Sequence, residues 1–137
     1  MRRRRLDGAW TMAAFGGTRA DDPHSDGTIW ASALWATRVE LQEHGVAAEE
    51  FDRLVLRALV RLGRATGDPP RNQELARRRQ FGHALQALLD EDRSPGGHIG
   101  AVVERVLAGR GIMTGYDNDQ LRERARARLP LLAGCTG

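Results

Sequence analysis

From Ile29 onward, apolar residues return every three or four positions, in four blocks separated by glycine- or proline-bearing stretches. That spacing lines one side of a helix and does not match the alternation of a strand. The 137 residues suffice for one domain. Aromatic residues make up only 5% of the chain, so its core must be built from Leu, Val and Ala, which suit helices. The expected fold is all-α, a small bundle of about four main helices with an irregular N-terminal arm and a weakly ordered C-terminal tail.

The first block begins at a sharp junction. Asp21, Asp22 and Pro23 give way, through His24-Ser25-Asp26-Gly27, to a stripe of Ile29, Trp30, Ala33, Leu34, Thr37 and Leu41. Ser25 or Asp26 is placed to cap this helix, a side-chain oxygen accepting from backbone N–H groups that lack partners. Gly45, after His44, suits a left-handed closing residue. The second block predicts a helix over 47–62 with Phe51, Leu54, Val55, Ala58, Leu59 and Leu62 inward and Gly63 as a stop. Its early Glu49, Glu50 and Asp52 and its late Arg61 match the helix dipole.

Gly67, Asp68, Pro69 and Pro70 mark a linker. A third helix is expected over 72–89, polar in its first half and burying Phe81, Leu85, Leu88 and Leu89. A fourth, over 98–108, buries Ile99, Val102, Val103, Val106 and Leu107 and closes near Gly109 or Gly111. Upstream, Trp10, Met12 and Phe15 read as an extended arm. Downstream, 117–129 is rich in Arg, Glu and Ala and reads as a marginal helix, and Pro130 onward as disordered. The chain thus divides into an arm or loop over 1–23, a helical lobe over 24–113 and a polar tail over 114–137.

The net charge is +3, and all 21 basic residues are Arg. Arg2, Arg3, Arg4 and Arg5 carry the excess; without them seventeen Arg face eighteen acidic residues, a net of −1. Such a tail can touch phosphates or a membrane surface, but the body of the chain offers no basic face, and nucleic acid is not an expected partner. No run approaches the roughly 18 apolar residues that span a bilayer, so no membrane partner is expected either. Cys135 is the single cysteine, which excludes an internal disulfide and a thiolate zinc site. Asp7, Gly8, Thr11 and Arg19 interrupt the apolar stretch after the arginines, so the chain as written is expected to carry no export signal.

Four histidines, His24, His44, His83 and His98, are the candidate metal or acid–base groups. None has a second histidine four residues away, as a helical zinc site of the H-E-x-x-H type requires. His83, between Phe81 and Leu85, reads as a partly buried helix residue. There is no G-x-S-x-G elbow and no glycine-rich phosphate loop followed by Lys. Arg77-Arg78-Arg79 has no interleaved aromatic residues and reads as a solvated helix face. His24 differs from the others, lying two residues after Asp22 and just before a helix. A neighbouring carboxylate can orient an imidazole and raise its pKa, and a histidine so held can donate to a developing oxyanion or act as an acid. Read locally, the favoured reading is a surface histidine in a turn.

The stretch Asp22-Pro23-His24-Ser25-Asp26-Gly27-Thr28-Ile29-Trp30-Ala31-Ser32-Ala33-Leu34-Trp35, with Arg4-Arg5-Leu6-Asp7 before it and Arg38 and Leu41 after it, resembles the C-terminal part of thermolysin-like and fungalysin-like zinc metallopeptidases. In those enzymes a segment of the type H-x-x-G-x-[IV]-W-[AS]-x-x-L-W opens a helix of the C-terminal lobe. Looser matches are Asp52-Arg53-Leu54-Val55-Leu56, Ala84-Leu85-Gln86-Ala87-Leu88-Leu89-Asp90-Glu91-Asp92 and the closing Val106-Leu107-Ala108-Gly109-Arg110-Gly111-Ile112. The resemblance covers 4–113.

The resemblance implies that His24 stabilises the tetrahedral oxyanion of peptide-bond hydrolysis, oriented by Asp22 or Asp21. It also implies zinc as the cofactor of the complete enzyme, held by two His and one Glu, with a second Glu as base. This chain contains neither H-E-x-x-H nor the third-ligand segment. By itself it is therefore expected neither to hold zinc nor to cleave peptides, and to meet a polypeptide substrate only when a zinc-bearing N-terminal half is supplied. An exposed apolar face for that half is a corollary. The family is typically secreted. An alternative of a different class is a non-enzymatic helical protein–protein interaction module, suggested by the polar third helix beside strongly apolar second and fourth helices.

Overall fold

Each of the apolar blocks becomes a helix. The computed structural model describes residues 7–16, 23–64 and 81–134. Among them are five α-helices and no strand: α1 Pro23–Glu43, α2 Ala48–Arg64, α3 Phe81–Glu91, α4 His98–Gly109 and α5 Asn118–Gly134. Short 3-10 turns at Met12–Ala14 and Pro95–Gly97 complete the order.

α1 starts at Pro23, ahead of the expected caps. Proline suits a first helical position, because its φ is already helical and its missing N–H would have no partner there. Asp26 therefore lies inside the first turn, where its carboxylate accepts the Gly16 N–H at 2.8 Å. The other end follows expectation. The Val46 N–H reaches back to the Leu41 carbonyl at 2.9 Å, with Gly45 at φ 82. α4 closes the same way, Ile112 N–H to Leu107 O at 2.9 Å with Gly111 at φ 82. Both positive φ values favour glycine.

α2 runs through Gly63 to Arg64. Its Phe51, Leu54 and Ala58 are buried, but Leu59, expected inward, is 57% exposed. In α3 the described part ends at Glu91, two residues beyond expectation, and the predicted 72–80 lies outside the described residues. His83 is exposed rather than partly buried, since Gly82, Leu85 and Leu88 form the buried face. α4 buries Ile99, Val103 and Leu107 as its spacing demands.

Helix packing builds one core. α2 lies along α3, α1 along α4, and α3 and α4 meet each other. Phe51, Leu54, Leu85, Leu88, Val103 and Leu107 are all at most 2% exposed. Burial of each such side chain is worth about 1.5–3 kcal/mol.

The two ends of the chain differ from expectation. The arm is not extended: Met12 sits in the 3-10 turn and is fully buried, and Phe15 is buried with it. Where a marginal helix over 117–129 and disorder from Pro130 were expected, α5 is one helix to Gly134, with Leu121 1% exposed. The reason is nonlocal. α5 packs on the Met12–Ala14 turn, and the Asn118 side chain accepts the Phe81 N–H at 3.0 Å, capping α3.

Candidate functional site

The N-terminal half of α1 is held by groups from distant parts of the chain. Trp30 stacks on Phe81 with ring centroids 5.6 Å apart and planes 21° apart. Phe15 meets Phe81 edge-on at 6.3 Å, and the Arg122 guanidinium lies 5.9 Å over the Phe15 ring. Three aromatic rings from the arm, α1 and α3 thus form one cluster, its α1 member lying six residues beyond His24. Such pairs add about 0.5–1.5 kcal/mol beyond their area.

Two residues further along α1, at Ser32, a second fixation comes from the residue that closes α4. Arg110 Nη1 donates to the carbonyls of Gly8 and Trp10 at 2.9 and 3.0 Å and reaches Ser32 Oγ at 3.4 Å. The Met12 N–H adds a bond to Arg110 O at 2.8 Å. Ser32 is itself fully buried and donates to the Ile29 carbonyl, so it accepts from Arg110 without leaving a polar group unmet. Sequence reasoning placed Arg110 only in a closing motif. A lone Arg between two glycines was the available signal, but its partners lie about a hundred residues upstream.

His24 occupies the second position of α1. Its side chain, and all of Asp21 and Asp22, lie outside the described residues, as do Arg2 to Arg5, Arg77 to Arg79 and Cys135. The structure thus places the helix that presents His24 but draws no pairing between it and either aspartate. The remaining histidines stand apart. His44 Nδ1 donates to Glu40 O at 2.8 Å, His98 Nδ1 donates to Pro95 O at 2.9 Å, and His83 is exposed. Among the described residues no three His, Cys, Asp or Glu side chains gather where a metal ion could be held. Zinc of the kind the resemblance implies does not fit the donor set they offer.

Two carboxylates are electrostatically distinct. Asp52 takes a forked pair of bonds from Arg38 at 2.9 and 3.1 Å, which holds its carboxyl below the usual range and raises Arg38. This pair fastens α1 to α2. Asp92 staples the α3–α4 loop, accepting from Ser94 N–H at 2.9 Å, Ser94 Oγ at 2.6 Å and Gly100 N–H at 2.9 Å. Partial burial pushes the Asp92 carboxyl up, but those hydrogen bonds outweigh it, and the group sits below its ordinary value. Both are structural devices rather than poised acids or bases.

On α2, Leu56, Leu59 and Val60 are each more than half exposed. Among the described residues no helix is long and apolar enough to cross a membrane. The chain gives no match to protein-family models, to curated proteins or to solved structures.

Proposed function

We propose that this chain is the C-terminal helical lobe of a zinc-dependent metalloendopeptidase of the thermolysin-like or fungalysin-like type. The observation that carries the reading is the meeting of Arg110 with Ser32. Ser32, within the opening segment, and Arg110, in one of the looser matches 78 residues on, meet in one packed unit.

In this reading His24, in the first turn of α1, donates a hydrogen bond to the oxyanion that develops as the peptide carbonyl becomes tetrahedral. A preorganised donor of this kind is worth about 10²–10³-fold in rate. The metal and the water-activating base belong to a companion half. Alone, the 137-residue chain takes up no stoichiometric zinc and leaves casein intact. Chelator-sensitive digestion by the purified chain contradicts this assignment.

The kinetic test uses the lobe joined to its zinc-bearing half. His24→Ala is expected to lower kcat by about 10²–10³-fold with little change in KM, as for a group that acts only in the transition state. An unchanged kcat removes His24 from the reaction.

A further inference from the structure

The outer side of α2 carries an exposed apolar surface. Leu56, Leu59 and Val60 are 62%, 57% and 52% exposed. Their i, i+3, i+4 spacing makes them one strip. Leu56 is the ridge between two grooves. One, of about 390 Å³, lies between α1 and α2 and is lined by Leu34, Trp35 and Val55. The other, of about 640 Å³, is lined by Val60 with Arg57, Arg61, Arg64 and Arg93.

Charge beside the strip is unbalanced. Arg61 reaches Asp90 at 3.5 Å and Glu91 at 3.1 Å, while Arg57 and Arg93 each stand 3.9 Å from Glu91. Arg57 Nε is enclosed and has no hydrogen-bond acceptor among the described residues. Arg64 and Arg53 bring the guanidinium groups lining the two adjoining hollows to five, against Glu50, Asp90, Glu91 and Asp92 as the nearby carboxylates, an excess of one positive charge among the described residues. At the other end of the same helix, in its first turn, stand the exposed Glu49 and Glu50.

We propose that this strip is the contact between two copies of the chain, packed α2 against α2 in antiparallel fashion. A two-fold contact sets the same patch against itself. Run antiparallel, it lays the Leu56–Val60 centres together and brings Glu49 and Glu50 of each copy toward the Arg61 and Arg64 end of the other. Opposite charges then face each other at both ends of the contact, and the helix dipoles oppose. The metallopeptidase's companion half is the other occupant to consider. An acidic-to-basic gradient with an apolar centre within one helix is self-complementary, which an unlike partner does not require.

The test is independent of any activity: light scattering and analytical ultracentrifugation over a range of concentrations. The wild-type chain is expected to dimerise. Leu56→Asp, whose side chain is solvent-facing in the single copy, should raise the dissociation constant about a hundredfold. Glu49→Arg and Arg64→Glu should each raise it about tenfold, since each residue counts twice in a two-fold contact. An equimolar mixture of those two variants should recover wild-type affinity, because both charge contacts are restored across unlike chains. Circular dichroism confirms that each variant keeps its helices. A wild-type chain that stays monomeric at all concentrations, a dimer indifferent to Leu56→Asp, or a mixture that fails to recover overturns the proposal.

Discussion

Two regions of this lobe invert the usual placement of polar and apolar groups. In the seam where the arm, α1 and the end of α4 meet, polar residues are inside: Ser32 and Thr37 are fully buried. Each hydroxyl is met by its own helix, Ser32 by Ile29 O at 3.1 Å and Thr37 by Ala33 O at 2.8 Å. On the outer side of α2, apolar residues are outside. Buried hydroxyls satisfied within a helix cost little, so the seam needs nothing more. A strip of exposed aliphatic side chains lacks the burial that would stabilise it, which marks a surface that expects cover. The seam is finished and the α2 strip is not.

The sharpest break of this comparison lies within α2. Leu54, 2% exposed, and Leu56, 62% exposed, are the same residue two positions apart. Leu54→Ala should cost about 2–5 kcal/mol in urea unfolding, through lost burial and a cavity. Next in size is Gly82→Ala in α3. A Cβ there would stand 2.7 Å from Met113 O and 3.0 Å from Tyr116 O, both backbone atoms that cannot swing aside. The expected loss is about 1–3 kcal/mol. Arg110→Ala removes the hydrogen bonds that hold the arm, at a cost of about 1–2 kcal/mol. It should also speed hydrogen exchange at the Met12 N–H, which a purely global destabilisation would not single out.

Asp92→Asn tests a hydrogen-bonded carboxylate away from both regions, with an expected loss of about 1 kcal/mol at neutral pH. The folded-state carboxyl lies below its ordinary value of 3.8, so its contribution is complete above that value and is lost as pH falls through the lower folded value. Wild type and variant should therefore converge in acid below pH 3.8. The smallest effect belongs to Leu56→Ala, within about 0.5 kcal/mol in dilute solution. If Leu56→Ala cost as much as Leu54→Ala, the α2 strip would be core, and the contrast drawn above would fail.

Much of the helix plan was legible because burial follows spacing. Ile99, Val103 and Leu107 of α4 are buried where their period puts them. What spacing could not supply was nonlocal. Asp26 has the chemistry of a cap, but its carboxylate serves Gly16 from ten residues upstream. α5 offers little apolar surface of its own among Arg and Glu, yet Leu121 is buried and Asn118 is needed at the start of α3. Leu59 belongs to the apolar stripe by residue type, and only the positions of α1 and α3 determine that it stays uncovered. Of the candidate site, the helix bearing His24 was legible and its brace of Phe15, Phe81 and Arg110 was not, since each comes from a distant segment.

The assignment as a metallopeptidase lobe is tested most directly by the genomic sequence immediately upstream of the Met1 codon. The account predicts an open frame continuous with Met1 that encodes H-E-x-x-H, followed some tens of codons later by a Glu-bearing segment for the third ligand. Stop codons in every upstream frame, with a ribosome-binding site directly before Met1, would contradict it.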